Sequence, residues 1–360
     1  MPQWDFTDPT GIRRVEPTGY EGYYGGPAPA PVDAGYRPEP VPHTPYPELS
    51  TGMLLRPVKP PPSDGWRRLL YVLSGQLINV GESPRAARYN DLVAQVNRPL
   101  RGCYRIALLS LKGGVGKTTI TATLGATFAS IRGDRVVAVD ANPDRGTLSQ
   151  KIPLETPATV RQLLRDAGTI ERYSEVRRYT SKGRSGLEVL ASESDPAVSD
   201  AFSADDYARA LGVLERFYGL VLTDCGTGLL HSAMSGVLRL ADQIVVISSP
   251  SVDGARSASA TLDWLEAHGC GDLVRNGVVV LSVIRPKSKS TVDLDRLEHH
   301  FAARCRAVAR IPYDPHLEEG AEVDLDLLSA ETAAAYLTLA ALVGDGLAWP
   351  RRLTPRSGLP

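Results

Sequence analysis

The sequence of 360 residues contains only four cysteines, and they are scattered at Cys103, Cys225, Cys270 and Cys305. None of them forms a C-x-x-C pair, which argues against zinc or iron–sulfur ligation and against a disulfide framework. No apolar run approaches the roughly 20 residues that a membrane span needs. The first ten residues, MPQWDFTDPT, lack a basic segment followed by an apolar one, so no secretory signal is predicted. We therefore expect a cytoplasmic protein.

An excess of charge of either sign is also missing. The chain has 40 lysines and arginines against 41 aspartates and glutamates, a net charge of −1. The average surface therefore gives no reason to expect nucleic acid as the main partner. Hydrophobic residues make up 42% of the chain, enough for a substantial buried core. The length indicates at most two domains, or one α/β domain with extra segments.

The first 62 residues differ in composition from the rest. Fifteen of the 28 prolines lie between Pro2 and Pro62, and aliphatic residues are sparse there. Proline removes backbone donors and disfavours helix, so residues 1–62 are predicted to be disordered with polyproline II character. The five tyrosines from Tyr20 to Tyr46 are candidate contact points for a partner. A solvated tether explains the same composition.

A helical lead-in is predicted for residues 63–103, where apolar residues cluster around Leu69–Leu73 and again around Leu92–Val96. These two short helices are expected to pack on the core of a main domain at residues 104–345. Residues 346–360 are interpreted as a flexible tail.

Short apolar runs then alternate with helical stripes such as Ile120, Leu124, Phe128 and Ile131. Near-continuous apolar runs of this length are typical of strands buried on both faces. The alternation predicts an α/β fold, with a mostly parallel sheet sandwiched by helices and right-handed crossovers. The predicted strands are Ile106–Leu109, Val136–Val139, Leu187–Leu190, Leu220–Thr223, Ile244–Ser248, Val278–Val283 and Val308–Ile311.

A phosphate-binding loop is predicted where the first strand ends. The run SLKGGVGKTT follows Ile106–Leu109 and leads directly into a helix near Thr118. A strand, a glycine-rich turn and a helix N-terminus together form the context of a P-loop. Gly113, Gly114 and Gly116 would let backbone N–H groups surround phosphate oxygens.

Polar side chains complete this loop. Lys117 is expected to reach the β- and γ-phosphates of ATP, and the Thr118 hydroxyl to ligate magnesium. Val115 and Thr119 lie in the same nucleotide-binding stretch, and the helix N-terminus adds partial positive charge. The alternative is a glycine turn that joins a strand to a helix by chance.

The stretch KGGVGKTT resembles the deviant P-loop of the MinD/ParA family of P-loop ATPases, and the resemblance covers roughly Tyr104 to Val343. The first glycine of the general P-loop pattern falls at Leu111, and Lys112 follows it. In that family this extra lysine crosses the dimer interface to the ATP of the other subunit. The resemblance thus implies a nucleotide-dependent homodimer and a catalytic role for Lys112 beside Lys117.

Two further stretches resemble the switches of the same family. In VVAVDANPDRGTL, Asp140 matches the first of two switch aspartates, but Asn142 stands where the second would position the attacking water. Asp144, two residues further on, is a candidate to replace it. In GLVLTDCGTG, Asp224 matches the Walker B carboxylate that holds magnesium through water. The resemblance implies a magnesium site of Thr118, Asp140 and Asp224, although a strand-end aspartate such as Asp224 can also cap a helix.

The base-binding side matches the family less well. Ile284, in LSVIRP, stands where the family often has an asparagine that contacts adenine. Pro312 and Tyr313, in IPYDPHLEEGAEVD, resemble the family's proline-bearing loop and are candidates for an apolar edge of the adenine pocket. An ordinary loop between a strand and a helix explains both residues as well.

The lead-in GWRRLLYVLSGQLINVGESP, the run RIALLSLKGGVGKTT and the switch DANPDRGTL are similar to the MinD-like ATP-binding proteins associated with ESX (type VII) secretion in mycobacteria. This resemblance implies a dimeric ATP switch that regulates or positions a partner assembly. It also implies contact with a secretion-apparatus protein through residues 1–62, and recruitment by a partner to the inner face of the membrane. Because Asn142 is no useful base, hydrolysis is expected to be slow.

Other functions are compatible with parts of the sequence. A partitioning ATPase would bind DNA non-specifically, and the basic residues Arg285, Lys287 and Lys289 permit this, although three charges in a loop are usually a solvated surface. An amidotransferase or synthetase would need a Cys–His nucleophile pair with supporting context, which the chain lacks. A bacterial tyrosine kinase usually ends in a tyrosine cluster, whereas the C-terminal RRLTPRSGLP has none.

Overall fold

The structure, a computed structural model, describes residues 72–74, 83–142, 146–192, 202–228, 232–286 and 292–347. The chain divides into two units, Met1–Val58 and Lys59–Pro360, and all described residues belong to the second. The expectations for residues 1–62, for Asp144 and for Lys287 and Lys289 therefore fall outside the described residues, as do those for residues 348–360.

A sheet of eight strands forms the centre of the described unit. All neighbouring strands are parallel except the pair formed by the first two strands in the spatial order β3-β4-β2-β5-β1-β6-β7-β8. The strands are β1 (Tyr104–Leu109), β2 (Val136–Ala141), β3 (Ser181–Lys182), β4 (Glu188–Leu190), β5 (Leu220–Cys225), β6 (Gln243–Ser248), β7 (Val278–Ser282) and β8 (Ala307–Ile311). All seven predicted strands are present, with ends that differ by one or two residues. The predicted fold class is confirmed, and only β3 was missed.

The helices are α1 (Pro84–Val96), α2 (Lys117–Ile131), α3 (Val160–Asp166), α4 (Tyr173–Val176), α5 (Ala204–Leu214), α6 (Ser232–Leu240), α7 (Val252–Ala267), α8 (Gly271–Asn276), α9 (Leu294–Ala302), α10 (Pro315–Glu318) and α11 (Ala330–Gly346). Three single 3-10 turns lie at Leu148–Lys151, Arg177–Tyr179 and Leu325–Leu327.

Both faces of the sheet are covered, because alternate residues of each strand enter different hydrophobic cores. In β1, Ala107 and Leu109 belong to one core, which also receives side chains of α3 and α5–α9. Ile106 and Leu108 belong to the other core, which receives side chains of α1, α2 and α11. A strand with two buried faces needs apolar residues at consecutive positions, which is why the strands appear as continuous apolar runs.

Helix α2 carries the predicted stripe, and Ile120, Leu124 and Phe128 are buried. Its buried threonine hydroxyls would destabilise the core if they had no hydrogen-bond partners. Thr123 Oγ1 donates to the Thr119 carbonyl at 2.8 Å, and Thr127 Oγ1 donates to the Thr123 carbonyl at 2.8 Å. These bonds to the preceding turn let a threonine-rich helix lie inside the protein.

The described part of the lead-in consists mainly of one helix, α1. Helix α1 begins after the N-cap Ser83, and its Val96 is buried in the core. At Gly344 of α11 an added Cβ would stand 2.6 Å from the Gln95 carbonyl oxygen, so the two helices approach closely. Of the other predicted helix only residues 72–74 are described, and Val72 and Leu73 there are exposed. At the C-terminal end, α11 includes Gly346, the first residue of the predicted tail.

Candidate functional site

The loop after β1 begins with Ser110, whose hydroxyl holds the backbone of Lys112. Ser110 Oγ donates to the Lys112 carbonyl at 2.9 Å and accepts from the Lys112 N–H at 3.2 Å. The backbone of Lys112 is fixed in this way, while its side chain is exposed. Val115 is buried in the core, so it anchors the loop with its side chain and offers only its backbone to a ligand.

Two glycines of the loop have left-handed backbone conformations, which a residue with a Cβ adopts only with strain. Gly114 has φ 74° and Gly116 has φ 86°. Gly116 is the N-cap of α2, and its carbonyl accepts from Ile120 N at 2.8 Å. The next N–H groups, of Lys117 to Thr119, belong to the first helical turn and have no acceptor within the helix. The loop therefore presents backbone donors at the positive end of a helix, the arrangement that binds phosphate.

Lys117, Thr118 and Asp224 lie together at the start of α2. Lys117 Nζ is 2.5 Å from Asp224 Oδ1, and Thr118 Oγ1 donates to Asp224 Oδ2 at 2.6 Å. Lys117 and Asp224 are both buried. The sequence did not indicate a third donor, Thr121, whose hydroxyl is 3.1 Å from Asp224 Oδ1. Thr121 lies one turn after Lys117, and this i to i+4 spacing was the only available signal.

Asp140 lies beside Asp224 because β2 and β5 are neighbours in register. Its Oδ1 accepts from Asn142 N at 3.1 Å and its Oδ2 from Leu148 N at 3.0 Å. Burial, and then the negative charge of Asp224, raise the pKa of Asp140 to about 6, against the opposing effect of these hydrogen bonds and of Lys117. The carboxyl ends of two adjacent strands thus bring two carboxylates together beside one lysine.

Gly146 packs against this acidic pair. An added Cβ there would stand 1.8 Å from Ser192 Oγ and 2.5 Å from Asp140 Oδ2. Ser192 Oγ itself is buried, with no hydrogen-bond partner among the residues that the structure describes. A side chain at position 146 would therefore force Ser192 and Asp140 to shift.

Gly146→Ala is expected to lower the free energy of unfolding by about 1–3 kcal/mol, because its methyl group overlaps Ser192 and Asp140. Gly212 is the matched control. It is exposed within α5 and an added Cβ meets nothing within 4 Å, so Gly212→Ala is expected to stabilise by about 0.4–1 kcal/mol. Urea unfolding of both variants measures the difference. Equal loss of stability in the two would show that the effect is not local to Asp140.

The remaining predicted switch residues divide between described and undescribed positions. Asn142 follows β2 directly, is half-buried, and contacts Asp140 through its backbone N–H. Asp144 lies in the undescribed stretch 143–145. Its ability to replace the switch aspartate therefore stays a prediction.

Pro312 and Tyr313, the candidates for the adenine pocket, follow β8, and Ile284, which replaces the family's asparagine, lies after β7. An added Cβ on Gly116 would stand 3.2 Å from Ile284 Cγ2, so Ile284 packs against the phosphate loop itself. Val283 N donates to the Ile311 carbonyl at 3.0 Å, which places the half-buried Pro312 beside the same stretch. The Tyr313 hydroxyl donates to the Glu318 carboxylate. Ile284 and Pro312 are thus brought to the same edge of the sheet as the phosphate loop.

Cys225 and Arg285 are the described residues near the site that bear on the alternative functions. Cys225 follows Asp224, and burial raises the pKa of its thiol to about 12, which keeps it protonated and a poor nucleophile. Arg285 lies in the described part of the proposed basic loop and is exposed.

The donor set suits magnesium. Among the described residues no group of three or more His, Cys, Asp or Glu side chains could hold a metal ion. A magnesium ion does not need such a cluster, since it keeps several waters and binds one or two carboxylates together with substrate phosphates. The Thr118 hydroxyl, Asp224 and Asp140 supply hard oxygen donors beside the phosphate loop, so these residues fit the ion. In the part of the chain that is described, no helix has the length and apolarity of a membrane span.

Comparison with known proteins adds a family model, a curated relative and two solved structures. Residues 106–327 match the model of the CobQ/CobB/MinD/ParA nucleotide binding domain. The ESX-1 secretion-associated protein EspI of Mycobacterium tuberculosis H37Rv is 38% identical over 283 residues, 78% of this chain. The chain spans 42% of the length of that relative.

The solved structures show the same fold at low sequence identity. A ParA family ATPase from Chlorobium tepidum TLS superposes with a TM-score of 0.57 at 17% identity, over 66% of this chain and 98% of that one. The septum site-determining protein MinD from Pyrococcus horikoshii OT3, complexed with Mg-ADP, gives a TM-score of 0.52 at 21% identity, over 66% and 94% of the two chains.

Proposed function

Because the chain belongs to the CobQ/CobB/MinD/ParA nucleotide-binding family, we propose that it is an ATP-binding, slowly hydrolysing switch ATPase that dimerises on nucleotide and positions a partner assembly. The partner assembly is type VII (ESX) secretion, a proposal supported by the likeness to EspI. Residues 104–345 are proposed to form the ATPase domain. The observation that carries the proposal is the constellation of Lys117, Thr118 and Asp224 at the N-terminus of α2.

The roles of the side chains follow from their positions. The N–H groups of residues 113–119 cradle the phosphates, and Lys117 leaves Asp224 to contact the β- and γ-phosphate oxygens. In this exchange Lys117 stays paired with a negative group, and a magnesium ion would replace it as the counter-charge of the buried Asp224. Thr118, Asp224 and Asp140 would hold magnesium, and the bound ion would neutralise charge that develops on the phosphates. The Thr121 hydroxyl, which lies 3.0 Å from the Lys117 carbonyl oxygen and 3.1 Å from Asp224 Oδ1, would help to fix the orientation of Asp224.

We expect Asn142 to limit the rate of the hydrolytic step. An amide can orient a water molecule toward the γ-phosphate, but it accepts a proton poorly. The proposed outcome is a closed state that lasts long after ATP has bound. A lasting closed state suits a protein that positions a partner more than one that turns over rapidly.

Lys112 is the proposed link between subunits. Ser110 Oγ bonds both the N–H and the carbonyl of Lys112, which fixes the backbone there. The exposed Lys112 side chain therefore extends into solvent from a rigid loop position. An exposed cation beside a phosphate site gains most when a second subunit covers it and excludes water.

Lys112→Ala is expected to abolish most of the dimer that forms with a non-hydrolysable ATP analogue and magnesium, while monomer affinity for the analogue changes little. Sedimentation velocity measures the first effect and calorimetry the second. Lys182→Ala, another exposed lysine but at the far edge of the sheet, is the matched control and should dimerise like the parent. Equal dimerisation of Lys112→Ala and the control would show that Lys112 does not link the subunits.

The choice of partner is tested by binding. Pull-down from the native organism with the full chain and with a chain lacking residues 1–62 should recover components of a secretion assembly only with the full chain. A salt-dependent DNA-binding assay with ATP is the companion experiment. Binding that weakens steeply with salt would favour a partitioning ATPase instead.

A further inference from the structure

Lys151 is a buried lysine to which the proposed function assigns no role. Only 7% of its surface is exposed, and it ends the 3-10 turn Leu148–Lys151, here termed the switch turn. Burial lowers the pKa of its amine, so the position disfavours the charge that the side chain carries. A buried ammonium needs a compensating acceptor, and Lys151 Nζ donates to the carbonyl of Gly320.

The other end of the switch turn contacts the acidic pair. Leu148 is fully buried, and its N–H donates to Asp140 Oδ2 at 3.0 Å. Gln150 N donates to the Thr147 carbonyl at 3.2 Å, so the turn is closed by its own hydrogen bond. A single short turn therefore connects the carboxylate of Asp140 with the amine of Lys151.

The segment that receives Lys151 is itself held firmly. Val323 N donates to the Lys151 carbonyl at 2.9 Å, a second bond to the same residue. Asp324 N donates to His316 Nε2 at 3.0 Å. The Asp314 carboxylate accepts from His316 N and from Ser329 N, each at 3.0 Å. The segment from Asp314 to Ser329, here termed the braced segment 314–329, is thus held by its own hydrogen bonds.

We propose that Lys151 is a positioning residue for ATP hydrolysis, which holds the switch turn against the braced segment 314–329 and so keeps Asp140 oriented through Leu148. This inference rests on the proposed function, because it concerns the hydrolytic step of the same site. Two bonds at one end of a four-residue turn fix the direction of the N–H at the other end. The Leu148 N–H then donates to Asp140 from a constant position. This effect does not require Lys151 to contact the nucleotide.

The test replaces the amine and keeps the space that it fills. Lys151→Met retains a long apolar side chain but has no donor, and Lys151→Arg retains a donor. Lys182→Met is the matched control, since Lys182 is exposed. Three quantities are measured: affinity for MgATP by calorimetry, the single-turnover rate, and amide hydrogen exchange of Leu148 and Val323 in the full chain without nucleotide.

The proposal expects Lys151→Met to bind MgATP within about twofold of the parent and to hydrolyse it roughly tenfold more slowly, the effect of losing one charge-assisted hydrogen bond. Exchange at Leu148 and Val323 should accelerate by a similar factor, and Lys151→Arg should recover most of both effects. Parent-like exchange and hydrolysis in Lys151→Met would overturn the proposal. So would a parallel loss of affinity and rate, or exchange that accelerates across the whole sheet, since these point to nucleotide contact or to a general folding defect. A parent that binds no MgATP would refute the proposed function, and the exchange comparison would still decide whether Lys151 orients the switch turn.

Discussion

Lys117→Ala is expected to weaken MgATP binding by 10- to 100-fold, the loss of a charge-assisted contact of roughly 1.5–3 kcal/mol. The same variant is expected to lower the free energy of unfolding by about 3–5 kcal/mol, since it leaves a buried carboxylate without its cation. Lys117 Nζ lies 2.5 Å from Asp224 Oδ1, and Asp140 occupies the register position beside Asp224. Two buried carboxylates would then face each other without a counter-charge.

A double variant separates the two losses. Lys117→Ala with Asp224→Asn removes the uncompensated charge, so stability should return toward that of the parent, while MgATP affinity should stay low. Thermal unfolding and calorimetry on the parent, both single variants and the double variant complete the cycle. Parent-like affinity in Lys117→Ala would refute the interpretation of the loop. Additive stability changes would show that Lys117 and Asp224 are not energetically coupled.

Asn142→Asp is expected to accelerate single-turnover hydrolysis, by up to about 10²–10⁴-fold if a positioned general base is the missing element. The substitution keeps the backbone N–H that donates to Asp140 Oδ1 at 3.1 Å and changes only the side-chain group. MgATP affinity should change much less than the rate, because Lys117, Thr118 and Asp224 are unaltered.

Asp144→Ala is the comparison that decides which residue supplies the carboxylate. If Asn142 limits the rate, Asp144→Ala should hydrolyse ATP at close to the parent rate. A parent that hydrolyses rapidly and loses this activity in Asp144→Ala would make Asp144 the catalytic carboxylate. Rapid-quench measurement of a single turnover keeps product release out of the comparison.

The sequence predicts most of the sheet because burial on both faces imposes long apolar runs, as in Val278–Ser282. The position of Asp224 follows from the same logic, because a carboxylate at the end of such a run breaks its apolar character. The strand β3 gives no comparable signal, since two residues are too few for any periodicity and only their pairing with β4 defines them.

Contacts between distant parts of the chain could not be predicted in this way. Lys151 and Gly320 are 169 positions apart, and Lys151 lies outside every stretch that resembles a family motif. A lone lysine in a loop is usually a solvated side chain, and only the fold reveals that this one is buried. Likewise, Gly146 gives no sign in the sequence that Ser192 leaves no space for a methyl group beside it.

Because alternate residues of each strand enter different cores, the register of a strand decides which helical layer each of its side chains faces. In β5, Leu220 and Leu222 enter the core that contains α2, so Asp224 faces α2 by the same two-residue repeat. Deletion of a single residue within Leu220–Thr223 would exchange the faces of the strand and turn the carboxylate toward the opposite helical layer. A single-residue insertion or deletion inside β2 or β5 should therefore displace Asp140 or Asp224, even where every residue proposed to contact ATP is retained.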